Sequence, residues 1–237
     1  MREPFDPSGI LIVDKPAGIT SHDVVDRLRR TFGWKKVGHA GTLDPLATGV
    51  LILLVGAATR AQSRFLNDDK EYRGRMKLGV ETSTHDAEGE VTARAAGPVA
   101  VSREQLDEAV AGFRGEVRQL PPMVSAVKHK GKPLYKYARK GQEIEREERA
   151  IRIDRLDILA FEGDEVELEV RCSKGTYVRT LAHDIGRKLG CGAHLLSLRR
   201  TRSGPFTVAE AVALDAFLAL PAGEAFDRLL PVSRVAP

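Results

Sequence analysis

Residues 165–172 alternate strictly, with Val166, Leu168, Val170 and Cys172 set against Glu165, Glu167, Glu169 and Arg171. A two-residue period is that of a strand with one buried face. Residues 151–160 read as its neighbour, joined to it by a turn at Gly163-Asp164. Residues 70–78 alternate in the same way, with Tyr72, Gly74, Met76 and Leu78 on one side, and 194–202 form another strand. Two apolar runs have no such alternation: 10–13 predict a short buried strand and 49–55 a central one. The helical period appears after Ser21, which can cap a helix to about Phe32 with Val24, Val25 and Leu28 on one face. Residues 57–66 predict a second helix. Ser102 and Gln105 form a capping box for a third, through Ala111. Gly175-Thr176 opens a fourth over 177–189, closed by Gly190. Residues 82–90 are a polar, turn-rich loop and 207–231 hold short helices. Strands and helices mix without a strict βαβ rhythm, so the fold class is α+β with a mixed, mostly antiparallel sheet.

Between the first two apolar runs lies Gly38-His39-Ala40-Gly41-Thr42-Leu43-Asp44-Pro45-Leu46-Ala47-Thr48-Gly49. Glycines at 38, 41 and 49 permit backbone angles that other residues resist. Pro45 fixes its own φ and pushes Asp44 toward an extended conformation. The loop presents one carboxylate in a defined pose, with a buried strand behind it. An acid with His39 five residues earlier suits nucleophilic or general-base chemistry. Asp-Pro is also a common turn, so the local pattern leaves a catalytic and a structural reading open.

Composition narrows the setting. The chain has 237 residues, 42% of them hydrophobic and 5% aromatic, so Leu, Val, Ile and Ala must fill the core. A net charge of +4 is too mild to establish a nucleic-acid partner by itself. Cys172 and Cys191 match no zinc pattern and no disulfide framework, and a reducing cytoplasm is the simplest setting. No apolar run reaches membrane-spanning length, and the polar N-terminus over 1–8 is no signal peptide.

The acid loop resembles the catalytic motif of pseudouridine synthases of the TruB family, which act on the T loop of transfer RNA. The resemblance includes Asp14-Lys15-Pro16-Ala17-Gly18-Ile19-Thr20-Ser21 and Asp69-Lys70-Glu71-Tyr72. It continues through Cys172-Ser173-Lys174-Gly175-Thr176-Tyr177-Val178-Arg179-Thr180-Leu181 and Cys191-Gly192-Ala193-His194 to Leu198-Arg199-Arg200. These segments run in the family's order from near residue 9 to near 215. The resemblance implies a pseudouridine synthase fold and isomerisation of the T-loop uridine at position 55. It makes Asp44 the essential carboxylate, either a nucleophile at the sugar or an agent of elimination. Tyr72 stacks on the flipped uracil, and Arg179 pairs with Asp44. Tyr177 helps enclose the base, Leu198 packs on its face, and His39 fills the gap that base flipping leaves. Lys15-Pro16 is implied to brace the acid loop, with a phosphate contact by Lys15 as the alternative. The reaction needs no cofactor and no metal.

Charge is unevenly spread. Lys128, Lys130, Lys132, Lys136, Arg139 and Lys140 lie between residues 121 and 142 with no acid, interleaved with Tyr135 and Tyr137. Glu143, Glu145, Glu147 and Glu148 follow directly. This segment resembles the family's insertion that grips the T loop, by phosphate contact and stacking. A second basic stretch, Arg171, Lys174, Arg179, Arg187, Lys188, Arg199, Arg200 and Arg202, can track the adjoining stem. The expected organisation is a catalytic domain over 1–215 with the RNA-binding insertion at 121–151. A short helical tail over 216–237 follows, without the family's usual further C-terminal RNA-binding domain. The expected partner is the T stem-loop of transfer RNA, met by a monomer with no obligatory protein partner and no membrane. Other readings are the same isomerisation on another RNA, or a module that binds and folds transfer RNA.

Overall fold

The computed structural model describes residues 7–125, 127–138 and 140–235. It divides into two compact units, Met1–Tyr72 with Arg199–Pro237, and Arg73–Leu198.

β1 (Gly9–Lys15) is followed by α1 (Ser21–Phe32), which buries Val24, Val25 and Leu28 as their spacing predicts. Its cap is Thr20 and not Ser21. The Thr20 hydroxyl accepts from the Asp23 N–H at 3.1 Å, and the Asp23 carboxylate accepts from the Thr20 N–H at 2.8 Å. This reciprocal box satisfies two donors that the first turn leaves open. It releases the Ser21 hydroxyl for a tertiary contact described below. β2 (Val37–Ala40) occupies part of the stretch read from sequence as loop. Four residues with an internal glycine are too short to display a period. β3 (Thr48–Val55) pairs with both, Gly9↔Val55 to Lys15↔Gly49 on β1 and Val37↔Val55 to Ala40↔Ile52 on β2. The helix expected over 57–66 is a 3-10 turn, Gly56–Ala61, then α2 (Gln62–Leu66). β4 (Lys70–Leu78) buries Lys70, Tyr72, Gly74, Met76 and Leu78 on one face.

The loop expected over 82–90 is the tip of a hairpin between β5 (Val80–Thr82) and β6 (Val91–Arg94). α3 (Arg103–Ala111) has the expected Ser102–Gln105 box. β7 (Gly115–Gln119) leads into the lysine-rich segment. That segment holds a two-residue-strand hairpin, β8 (Lys128–His129) with β9 (Lys132–Pro133), and one turn, α4 (Tyr135–Ala138). Lys130 and Gly131 both have positive φ, as a tight hairpin turn asks of its central pair. β10 (Arg149–Glu162) and β11 (Glu165–Cys172) pair antiparallel, with the alternation seen in the sequence. α5 (Val178–Lys188) has Tyr177 as its N-cap residue.

β12 (Ala193–Ser203) is followed by β13 (Phe206–Thr207), β14 (Val212–Ala213), α6 (Leu214–Leu218) and α7 (Ala222–Asp227). In the first unit the strand order is β14–β1–β3–β12. The β1–β14 and β3–β12 pairs are parallel, and β1–β3, β2–β3 and β12–β13 are antiparallel. Val50 through Val55 are all 0% exposed. Val50, Ile52 and Leu54 pack with Ile10, Ile12, Phe65 and Phe206 in one cluster. Each such aliphatic side chain contributes about 1.5–3 kcal/mol by burial, which makes β3 a firm base for the loop that precedes it. In the second unit β4, β11, β10 and β7 lie side by side, and α3 packs on β10 and α5. The result is a mixed, mostly antiparallel α+β fold, as the sequence predicts. No described helix is long and apolar enough to cross a membrane.

Candidate active site

Asp44 lies in the turn between β2 and β3, half-buried. The turn closes on itself, with the Ala47 N–H donating to the Asp44 carbonyl at 3.0 Å. Its neighbours are held from three directions. The Ser21 hydroxyl accepts from the Leu43 N–H at 2.8 Å and donates to the Leu43 carbonyl at 3.2 Å. The Pro45 carbonyl accepts from the Gly18 N–H at 2.9 Å and from the Lys15 ammonium at 3.3 Å. The Arg200 guanidinium donates to the carbonyls of Val50 (2.7 Å), Gly41 (3.1 Å) and Thr42 (3.5 Å). Lys15 is 0% exposed and also serves the Pro16 and Ile19 carbonyls. It is therefore a brace, and its burial removes the phosphate-contact alternative. Gly49 permits the approach of Arg200: its φ is 101°, and a Cβ there would stand 2.2 Å from the Arg200 carbonyl oxygen. Gly41 also needs its positive φ, whereas Gly38 is an ordinary member of β2.

His39 sits in β2, half-buried, with its carbonyl accepting from Gln62 Nε2 at 2.7 Å. Burial, then the charge of Arg200 and of His22, holds the imidazole pKa below its usual value. The ring is thus neutral at pH 7, and its Nδ1 is buried without a hydrogen-bond partner among the described residues. Tyr72 is buried on β4, 8% exposed.

In the second unit Arg179 is 3% exposed, in the first turn of α5. Its guanidinium donates to the carbonyls of Thr84 (3.0 Å) and Val124, with Asp86 Oδ2 at 3.8 Å. Its carbon lies 5.8 Å from the centroid of the Tyr177 ring, so these two expected site residues are neighbours. Leu198 on β12 reaches β4 at Gly74, where a Cβ would meet its Cδ1 at 3.4 Å and that of Leu195 at 3.3 Å. Sequence reasoning passed over Asp86. It is buried in the hairpin tip, accepting from the Thr84 hydroxyl and the Glu88 N–H, and the tip is pinned to β12 through Leu195. The available signal was an Asp in a stretch that also holds Ser83, Thr84 and Gly89, the composition of a side-chain-closed turn.

Several members of the second basic stretch already have partners within their own unit. Arg200 is buried under the acid loop, Arg199 holds Asp14 with two hydrogen bonds, and Arg187 pairs with Glu81. Spacing along a sequence does not reveal which arginines are already spent on partners. In the insertion, Lys132 places its ammonium 4.3 Å from the Tyr137 ring centroid, an arrangement worth about 0.5–1 kcal/mol when exposed. Lys130 tips the hairpin and Lys136 is exposed on α4. Lys128 lies in β8, and Arg139 falls outside the described residues. His129, Lys130, Arg146 and Arg149, with Glu145 and Glu147, line a cavity of about 470 Å³.

The chain belongs to the TruB family of pseudouridylate synthases: the N-terminal domain of that family matches residues 29–178. The tRNA pseudouridylate synthase B C-terminal domain matches 179–233, so the two matches meet inside α5. A protein of Opitutus terrae named tRNA pseudouridine synthase B is 52% identical over 229 residues, covering 97% of this chain and 95% of that protein. One of the same name from Stutzerimonas stutzeri is 51% identical over 228 residues, covering 95% of this chain and 74% of that protein. Among solved structures, a Cbf5-Nop10-Gar1 complex aligns with a TM-score of 0.73 at 31% identity, over 94% of this chain and 60% of the solved one. An H/ACA RNP bound to a substrate RNA containing 2'-deoxyuridine aligns at 0.70 and 28%, over 94% and 59%.

Proposed function

We propose that this chain isomerises uridine to pseudouridine in transfer RNA, at position 55 of the T loop, with Asp44 as the essential carboxylate. The observation that carries this reading is the Asp44 turn. One acid is presented half-buried, while the residues on either side of it are tied down by Ser21, Lys15, Gly18 and Arg200. Such fixation keeps a reacting group in place without reorganisation during the reaction. The family membership and the names of the relatives agree with it.

The reaction breaks a C–N glycosidic bond, turns the detached base and remakes the link as C–C. Asp44 acts at the sugar or the base. Tyr72 and Leu198 flank the uracil, and Tyr177 closes over it. Arg179 keeps the carboxylate ionised and aimed, through charge-assisted contacts. His39, a neutral planar ring, takes the space that the flipped nucleotide leaves, which offsets part of a flipping penalty of a few kcal/mol. Lys128, Lys130, Lys132 and Lys136 hold the T loop by phosphate contact. The protein works in the cytoplasm as a monomer, without a cofactor and without a protein partner. The organisation is a catalytic domain over 1–215, with its insertion at 121–151, and a helical tail.

Incubating the purified chain alone with unmodified transfer RNA and mapping the product base tests this. Pseudouridine at position 55, absent with Asp44→Asn, is the expected result. Modification elsewhere, or only on an RNA supplied with guide and partner proteins, favours the reading on another RNA. Binding without conversion favours a folding module.

A further inference from the structure

The insertion leaves the sheet at Gln119, the last residue of β7, and returns at Arg149, the first of β10; the two are register partners. The Gln119 side chain turns inward and is 4% exposed. Its amide engages the main chain of Tyr177 on both sides. The Tyr177 N–H donates to Oε1 at 2.8 Å, and Nε2 donates to the Tyr177 carbonyl at 3.1 Å. A carboxamide carries the donor and acceptor of a peptide unit, so Gln119 stands beside Tyr177 as one extra peptide would.

The place of this contact matters. Tyr177 is the N-cap of α5, with extended φ and ψ, and its own side chain makes no capping bond. Tyrosine lacks the short side-chain oxygen that fixes most helix starts. Here the start is fixed from outside. The Tyr177 carbonyl that receives Gln119 also receives the Leu181 N–H at 3.0 Å, the first bond of the helix. Arg179 follows two residues later, in the same turn. The insertion's root touches this turn again, since the Val124 carbonyl accepts from Arg179. Between the two contacts, Arg146 donates to the Pro121 carbonyl at 3.0 Å and steadies the root.

We propose that Gln119 is a positioning residue for the reaction: it couples the neck of the RNA-gripping insertion to the first turn of α5, and so sets the Tyr177 ring and the Arg179 guanidinium. This rests on the reading that places Tyr177 and Arg179 in the active site. Gln119 does not touch the reacting atoms; it acts through the helix cap.

Gln119→Met keeps the length and apolar stem and removes both hydrogen bonds. Gln119→Glu keeps an acceptor for the Tyr177 N–H but turns a second oxygen toward the Tyr177 carbonyl. When protonated, that carboxyl becomes a donor and regains the wild-type pairing. Single-turnover conversion, kcat and KM, RNA affinity and thermal melting are measured for both, with Arg179→Ala alongside. Gln119→Met is expected to lower the rate about 10- to 100-fold, the scale of a small misplacement at a reacting centre. KM and RNA affinity stay within about threefold, because phosphate contacts dominate binding. Gln119→Glu is expected to gain activity relative to wild type as pH falls. A Gln119→Met rate within about threefold of wild type, or a Gln119→Glu ratio that does not change with pH, overturns the positioning role. If Arg179→Ala also converts normally, the active-site assignment itself falls. An inactive Arg179→Ala beside a normal Gln119→Met removes only the role of Gln119.

Discussion

Lys15 and Pro45 are joined by a hydrogen bond from the lysine ammonium to the proline carbonyl, 3.3 Å long, beside two shorter ones to Pro16 and Ile19. The cation is wholly buried and spends its donors on main-chain oxygens around the acid loop. Lys15→Met keeps the stem and removes the donors. A buried acceptor left without its donor costs about 1–3 kcal/mol. Lys15→Met is therefore expected to lose about 2–4 kcal/mol of stability and to slow conversion even where it remains folded. Urea unfolding together with single-turnover assays measures both, and a loss under about 1 kcal/mol would mean that water replaces the ammonium.

Arg179 spans two carbonyls, from Thr84 and Val124, that lie on separate segments. A lysine offers one point of charge and cannot serve both ends of a planar fork. Arg179→Lys is expected to reduce conversion about 100-fold or more while RNA affinity changes a few-fold at most. Tyr72→Leu is expected to follow the same pattern, because the stacking proposed for Tyr72 acts on the flipped base alone. Near-normal turnover by both variants would remove them from the site.

Replacing Lys128, Lys130, Lys132 and Lys136 with Gln is expected to weaken transfer RNA binding and flatten its salt dependence. Each lost phosphate contact reduces the log–log slope by about 0.7–0.9. The sheet should survive, because the hairpin and α4 lie outside its ladders. Binding across a salt series is the measurement. An unchanged slope would assign these lysines to solvent, and Arg199, Arg200 and Arg187 are already engaged elsewhere.

The His85 and His183 rings stack 3.9 Å apart, almost parallel at 2°. Burial first, then the His183 ring and the charges of Arg179, Arg146 and Arg187, lowers the His85 pKa to about 3. His183 is lowered too, by burial, against the pull of Glu81. The unfolded chain binds protons here before the folded one does. Stability from the pair is thus complete above the ordinary value of 6.5 and is lost as pH falls toward about 3. Asp184 runs the other way: burial raises its pKa to about 6, so its carboxyl favours the fold below the ordinary 3.8 and loses that advantage as pH rises through 6. His85→Asn tolerates the positive φ of 65° and removes one proton-binding group. Its melting temperature is expected to fall less than wild type between pH 6.5 and 4. Identical acid limbs would show that the stack does not resist protonation.

The long periodic elements were readable because burial acts residue by residue along them. β11 repeats its pattern at every position, and β3 is apolar from Val50 to Val55 because both of its faces are covered there. β2, β7 and β14 were not readable, since strands of two to five residues carry no period and form only against a partner. Asp44 stood out through its glycine- and proline-rich surroundings. Asp86 and Arg200 did not, because each is defined by what it reaches across the chain and not by its neighbours in sequence. Ser21 shows the same limit: it looks like a cap, and its neighbour Thr20 does that work while Ser21 holds Leu43.

Gln119 and Arg149 face each other at the last rung of the β7–β10 ladder, where the insertion leaves the sheet and rejoins it. Residues of the β8–β9 hairpin and α4 can be gained, lost or exchanged without shifting any strand of the main sheet by a step. For the RNA-gripping role proposed above, the hairpin and α4 are in this sense a replaceable tool head. New substrates can be tried there, by natural variation or by grafting, while the Asp44 turn and the strands beneath it stay as they are.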